Sequence, residues 1–150
     1  MQSELIGTWE LEISENINEY FKQLGMAANR RKVAVTIKPI VVITKSEDDL
    51  WCIAIDMKNK GTETVFRVGN EVDSSNELKY VFDIRFYFDS RKRCRSVFHF
   101  ENTNKLIQKM HFIDTEETQV IVREIDAEGN LIESMEMNGV KARRIFKRVK

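Results

Sequence analysis

The sequence is poor in residues that interrupt or cross-link a chain, since its 150 residues include one proline, six glycines and two cysteines. No stretch rich in serine, glycine or proline divides it, so nothing marks a linker between domains. A chain of this length commonly folds as one domain, with a core large enough to need no disulfide. We therefore expect a single domain over residues 1–150.

Neither sign of charge is in surplus. Lysine and arginine total 24, aspartate and glutamate total 24, and the formal net charge is zero. Without a net positive field, nucleic acid is not expected as a partner. The first residues show no basic segment followed by an apolar run, and no apolar run is long enough to span a bilayer. These absences predict a cytoplasmic protein.

The residues of catalysis and metal binding are also sparse. The two histidines, His99 and His111, and the two cysteines, Cys52 and Cys94, do not have the spacing of zinc ligands. The glycines are scattered, so they form neither a phosphate-binding loop nor a dinucleotide fingerprint. We expect no enzymatic activity, no cofactor and no metal site.

Alternation of apolar and polar residues dominates the chain from about Lys38 onward, and it is typical of strands with one buried face. The apolar rows include Ile53/Ile55/Met57, Leu78/Tyr80/Phe82/Ile84/Phe86/Phe88, Leu106/Gln108/Met110/Phe112 and Ile121/Arg123/Ile125. Turn residues separate the rows at intervals of roughly ten residues, and Asn138-Gly139 is the clearest hairpin turn among them. The pattern predicts an antiparallel meander of many short strands.

The N-terminal part departs from this pattern. After a first strand, Thr8–Ile13, the residues Ile17, Tyr20, Phe21 and Leu24 recur at helical spacing behind Ser14, which we expect to cap the helix, and Gly25 ends it. A second helical segment follows from Ala27 to Val35. One strand, two helices and about nine further strands fit an all-β closed barrel with a helical lid, because closure removes exposed sheet edges.

Several short motifs resemble those of the cytosolic fatty-acid-binding proteins, in order and in spacing. They are Gly7-Thr8-Trp9, Ser14-Glu15-Asn16, Glu19-Tyr20, Leu24-Gly25, Arg31-Lys32-Val33-Ala34, Lys38-Pro39, Lys60-Gly61-Thr62-Glu63, Phe66, Gly69, Glu71, Asp73, Val122-Arg123-Glu124 and Arg144-Ile145-Phe146. The resemblance covers nearly the whole chain. It implies a ten-stranded antiparallel up-and-down β-barrel capped by two short helices.

The resemblance also implies a ligand. In that family two inward-pointing arginines and a tyrosine bind the carboxylate of a fatty acid, and these roles fall on Arg123, Arg144 and the position of Phe146. The residues expected to line the cavity or its portal are Ile17, Tyr20, Phe21, Met26, Arg30, Ala34, Pro39 and Met57. A ligand would pass between the helices, near Met26 and Arg30, and the turn at 57–60.

The strand pattern supports the two arginines independently. Arg123 shares a face with Ile121 and Ile125, and Arg144 shares one with Ala142 and Phe146, so both project from apolar faces. An inward arginine is costly unless an anion compensates it, and its planar fork matches a carboxylate. The alternatives are an internal salt bridge to Glu124 or Glu136, or simple exposure.

Two features depart from the family. Phe146 has no phenolic hydroxyl, so a carboxylate would lose one hydrogen bond or obtain it elsewhere. Residues 74–92 match the family poorly and form an inserted amphipathic segment. We expect this insert to extend a hairpin in the middle of the barrel, with an aromatic ribbon that contacts a membrane or a second copy as the alternative.

The function expected from these observations is that of a carrier. It would bind long-chain fatty acids, or similar hydrophobic carboxylates, reversibly inside the barrel, as a monomer with transient membrane contact through the helical lid. A nuclear location in addition to the cytoplasm is implied by the family alone. The alternatives are a retinoid carrier of the same superfamily and a barrel scaffold whose 74–92 insert mediates interactions.

Overall fold

The structure is a computed structural model that describes residues 2–57, 60–73, 94–113 and 115–149, and only the backbone of 57, 60, 71–73 and 94. The described elements are β1 (Gly7–Glu15), α1 (Ile17–Gln23), α2 (Ala28–Ala34), β2 (Ile40–Lys45), β3 (Trp51–Met57), β4 (Lys60–Phe66), β5 (Glu71–Asp73), β6 (Cys94–Asn102), β7 (Lys105–Phe112), β8 (Thr118–Ile125), β9 (Leu131–Met137) and β10 (Val140–Arg148). The insert expected at residues 74–92 lies outside the described residues.

The described strands form one antiparallel sheet of ten, in the order β4-β3-β2-β1-β10-β9-β8-β7-β6-β5. Consecutive strands are neighbours except β4 and β5, which are the two ends of the order, and β1 and β10 pair at its middle. The two ends of the sheet approach each other through β4 and β6: the rings of Phe66 on β4 and Phe98 on β6 stack with centroids 3.7 Å apart, and the backbone N–H of Gly69, between β4 and β5, donates to Phe98 O. The sheet thus curls into a nearly closed barrel, as the sequence predicts.

Hairpin turns of the expected type connect the strands. Asn138 and Gly139 both have positive φ, 50° and 82°, between β9 and β10. This is the backbone that a two-residue hairpin turn of type I′ requires, and asparagine and glycine tolerate it best.

Helix α1 begins later than predicted. β1 continues through Ser14 and Glu15, which pair with Arg144 and Arg143 of β10, so Ser14 is a strand residue and does not cap the helix. Asn16 precedes α1 in the left-handed conformation, with φ of 56°, and its amide donates to Lys141 O at 2.7 Å. The cross-strand pairing of Glu15 with Arg143, 3.0 Å from Nε to Oε2, extends the strand past the predicted end.

Two apolar clusters fill opposite parts of the barrel. The base cluster comprises Leu5, Trp9, Leu11, Val41, Ile43, Trp51, Ile53, Phe66, Phe98, Leu106, Leu131 and Phe146. The helix-side cluster comprises Ile17, Tyr20, Phe21, Met26, Ala34, Phe112, Ile121, Met135, Met137 and Ala142. Helix α1 packs on β9 and β10, so its buried face joins the barrel interior.

Among the described residues, no helix is long and apolar enough to cross a lipid bilayer.

Gly7 and Arg148 fix the base of the barrel. Arg148 stacks its guanidinium over Trp9, 4.2 Å from the ring centroid, and donates to Glu4 O and Ile6 O. Gly7 has φ of 151°, and a Cβ there would collide with Nη1 of Arg148.

We therefore expect Gly7→Ala to lower the free energy of unfolding by about 1–2 kcal/mol, measured by urea denaturation. Because the collision involves Arg148, the loss should be smaller when Gly7→Ala is made in an Arg148→Ala background. An equal loss in both backgrounds would contradict the proposed cause.

Asp126 holds the turn that sets β8 and β9 in register. Its carboxylate accepts backbone N–H groups of Glu128 and Asn130 at 2.9 and 2.8 Å, and these hydrogen bonds lower its pKa below the ordinary 3.8. A lowered pKa in the folded state means that the stabilisation is complete above pH 3.8 and is lost as the pH falls through the folded value.

Asp126→Asn should therefore unfold at a lower urea concentration than the parent at neutral pH, and the difference should shrink as the pH is lowered below about 4. Parallel urea curves at several pH values check this. A constant difference at all pH values would be the contrary result.

Candidate ligand-binding site

Three charged side chains meet on neighbouring strands. The β8–β9 register places Arg123 opposite Glu133, and the β9–β10 register places Glu133 opposite Arg144. Directly opposed residues of antiparallel strands have Cβ atoms about 5 Å apart on the same face of the sheet. Glu133 therefore lies between two arginines.

These charges lie between the two apolar clusters. Along β10 the inward residues run from Ala142 of the helix-side cluster through Arg144 to Phe146 of the base cluster. Along β7 the same order is Phe112, Gln108 and Leu106, with Gln108 and, on β6, Ser96 both buried. We call Ser96, Gln108, Arg123, Glu133 and Arg144 the polar centre. Apolar groups flank it on both sides along these strands.

Arg123 is bound to buried side chains of β7 and β9. It is 4% exposed, its Nε lies 3.2 Å from Oε2 of Glu133, and its Nη1 donates to Oε1 of Gln108 at 2.8 Å. The amide of Gln108 in turn donates to Oγ of Ser96 at 3.1 Å. Arg123 therefore has an internal ion pair, as one alternative expected, but its partner is Glu133 and not Glu124 or Glu136.

Arg144 is placed differently. Its Nε is buried and has no hydrogen-bond partner among the described residues, while the side chain as a whole keeps some accessible surface. Its guanidinium lies over the ring of Phe21, 5.4 Å from the centroid. Burial lowers the pKa of Arg144 below its ordinary value, and the nearby negative charge of Glu133 opposes this. Arg144 is thus a cation that the described residues leave without an ion-pair partner.

Helix α1 contributes a hydroxyl near the polar centre. Tyr20 is 1% exposed, and its phenol oxygen accepts a hydrogen bond from the amide of Gln119 on β8. Burial raises the pKa of Tyr20, and the negative charge of Glu133 raises it further, so the phenol stays protonated. A protonated phenol that accepts one hydrogen bond can still donate another.

Comparison with known proteins shows the family to which this chain belongs. Residues 6–149 match the family described as the lipocalin / cytosolic fatty-acid binding protein family. The chain belongs to this family. It is 31% identical over 148 residues to fatty acid-binding protein homolog 6 of Caenorhabditis elegans, covering 99% of each chain. It is 29% identical over 145 residues to cellular retinoic acid-binding protein 2 of Rattus norvegicus, covering 95% of this chain and 96% of the relative.

A solved structure of a similar protein has the same fold. The Schistosoma mansoni fatty acid binding protein in complex with arachidonic acid superposes with a TM-score of 0.80, at 25% identity, over 99% of this chain and 98% of that one. The barrel and the paired helices are therefore the family fold.

Phe146 stands where the family resemblance implies a tyrosine. It is 1% exposed and packs in the base cluster, opposite Leu11 of β1 and Leu131 of β9. Tyr20, predicted to line the cavity or its portal, carries a buried hydroxyl that bonds to Gln119.

The other predicted cavity and portal residues separate into two groups. Ile17, Tyr20, Phe21, Met26 and Ala34 are buried together in the helix-side cluster, and Pro39 is also buried. Arg30 is exposed on α2, and the side chain of Met57 lies outside the described residues. Most of these residues therefore face the barrel interior beneath the helices.

Glu133, Ser96 and the role of Gln108 were not predicted from the sequence. The signal for Gln108 was available, because it lies in the same alternating row as Leu106 and Met110. Glu133 alternates in the same way with Leu131 and Met135. Among the residues that the structure describes, no three acidic, histidine or cysteine side chains cluster as metal ligands.

Proposed function

We propose that this protein reversibly binds long-chain fatty acids, or similar hydrophobic carboxylates, inside the barrel and that it catalyses no reaction. The observation that carries the proposal is the charge of the polar centre. Arg123 and Glu133 cancel, so the positive charge of Arg144 remains for one anion. Arg144 also has a buried N–H without a partner among the described residues, which a carboxylate oxygen would satisfy.

The barrel walls supply the apolar environment for the tail. Ile55, Thr64 and Phe100 face inward by register and are not fully buried, so a ligand tail inside the barrel would lie against them. Each buried methylene contributes about 0.8 kcal/mol, so a long tail offers roughly 12 kcal/mol before the costs of association. Affinities between nanomolar and micromolar would follow.

A retinoid is the second candidate ligand, and the likeness to the retinoic acid-binding protein favours it. Retinoic acid also combines one carboxylate with an apolar body, so it would use the same arginine. Competition between the two acids for one site separates them by relative affinity.

The finer aspects of the proposal concern the protein's surroundings. We place the carrier in the cytoplasm, and also in the nucleus, as a monomer that contacts membranes transiently through its helices. The exposed Val33 and Val35, 43% and 39% accessible, lie beside the exposed Lys32 on α2 and at its end. An apolar pair beside a cation suits a brief contact with an anionic lipid surface.

Titration with a fluorescent fatty acid tests the function. The parent should show saturable uptake with a stoichiometry of one, and the double variant Arg123→Leu/Arg144→Leu should not. Mass spectrometry of the purified protein should reveal a copurifying lipid acid. Absence of saturable uptake by the parent would leave the barrel as a scaffold and overturn the proposal.

A further inference from the structure

We infer that Glu133 is a specificity-determining residue, which selects a head group that carries one acid and a hydrogen-bond donor beside it, such as a 2-hydroxy fatty acid. The inference rests on the proposed function, because it concerns the head-group end of the same site. In this arrangement Arg144 holds the ligand, and Arg123 positions Glu133.

Glu133 is a buried carboxylate that faces both arginines. Glu133 is 6% exposed, and its strand register sets it directly opposite both Arg123 and Arg144. A buried carboxylate in this position is a built-in anion at the head-group site. It reduces the charge available to a ligand from two units to one.

The carboxylate of Glu133 can accept more hydrogen bonds than it receives from the described residues. Only Oε2 of Glu133 has a hydrogen-bond donor, Nε of Arg123, among the described residues. An ionised carboxylate accepts several hydrogen bonds, through both oxygens. The side chain of Glu133 keeps 8% of its surface accessible, and a ligand donor that reaches Oε1 would use this remaining acceptor.

Glu133 also constrains the chemistry of the ligand's head group. A carboxylate bound to Arg144 lies next to Glu133, because the two residues are cross-strand partners. A plain carboxylate brings two negative charges close together, and this repulsion weakens its binding. A hydroxyl on the carbon beside the carboxylate donates to Glu133 and offsets the repulsion. The site therefore favours the hydroxylated acid.

The test compares palmitic acid with 2-hydroxypalmitic acid by isothermal titration calorimetry. The parent should bind the hydroxylated acid about 3- to 10-fold more tightly, equivalent to one hydrogen bond. Glu133→Gln should bind palmitic acid about tenfold more tightly than the parent and lose the preference. Glu136→Gln, an exposed neighbour on β9, should behave like the parent.

A second variant guards against poor folding of Glu133→Gln, which leaves Arg123 without its counter-ion. Arg123→Gln/Glu133→Gln restores the original net charge, so its palmitate affinity should stay within about threefold of the parent's while the preference disappears. If the parent binds palmitic acid saturably but shows no preference, or if both Glu133 variants keep the preference, the role of Glu133 is overturned. If the parent binds neither acid, the proposed function itself is overturned as well.

Discussion

Replacement of Arg144 by leucine is expected to reduce fatty-acid affinity about 100-fold and, at the same time, to raise the free energy of unfolding of the empty protein by about 1–2 kcal/mol. The loss of affinity follows because the ligand carboxylate would be buried without its cation. The gain in stability follows because burial lowers the pKa of Arg144, so its charged form is less favourable in the folded state than in the unfolded chain.

Both effects are measurable on one pair of proteins, by ligand titration and by urea denaturation without ligand. Arg143→Leu is the matched control, because Arg143 is the adjacent residue on β10 but faces outward and pairs with Glu15. That variant should keep the parent's affinity. A stable Arg144→Leu protein with unchanged affinity would remove Arg144 from the binding site.

Arg123→Leu is expected to lower the free energy of unfolding by about 3 kcal/mol, because it leaves Glu133 and Gln108 buried without a shared partner. Fatty-acid affinity should fall too, since Glu133 then neutralises Arg144. The double variant Arg123→Leu/Glu133→Leu should recover most of both losses, because Arg144 is again the one charge of the polar centre among the described residues.

A clamp of two equivalent arginines predicts a different result for the same cycle. In that case Arg123→Leu would weaken binding without large destabilisation, and the further change of Glu133 would restore nothing. The urea curves and titrations of the single and double variants therefore distinguish a structural Arg123 from a ligand-binding one.

The barrel could be predicted from the sequence because its strands and turns are marked by residues that are close together in the chain. Alternation of apolar residues marks each strand, and dipeptides such as Asn138-Gly139 mark the turns, which together leave an antiparallel meander as the simplest arrangement. Apolar residues at helical spacing, such as Ile17, Tyr20 and Phe21, likewise predicted α1. The start of α1 was misplaced because the pairing of Glu15 with Arg143 is a contact between distant parts of the chain.

The same local information placed the two arginines. Alternation puts Arg123 and Arg144 on faces with apolar neighbours; in the structure Arg123 is 4% exposed and Arg144 is half-buried. Their pairing depends on the registers of β8, β9 and β10, which decide whether Glu124, Glu133 or Glu136 meets Arg123. The sequence pattern does not contain that register. It therefore left the internal salt bridge open, and the family resemblance gave one role to both arginines, of which only Arg123 has an ion pair among the described residues.

The contribution of Tyr20 and Phe21 to the polar centre is also a tertiary effect. The amphipathic pattern shows that these residues are buried, but only the packing of α1 on β9 and β10 brings Phe21 over Arg144 and Tyr20 to Gln119.

The most direct test of the account is the ionisation of a bound ligand, followed by NMR of palmitic acid labelled with carbon-13 at the carboxyl. A carboxylate beside Arg144 should remain ionised, so its bound resonance should keep one position from about pH 8 to about pH 5. A carboxyl buried among apolar groups alone has a raised pKa and would move to the protonated position over that range. The fixed resonance supports a ligand held by Arg144, and a titrating one, or no bound resonance at all, contradicts it.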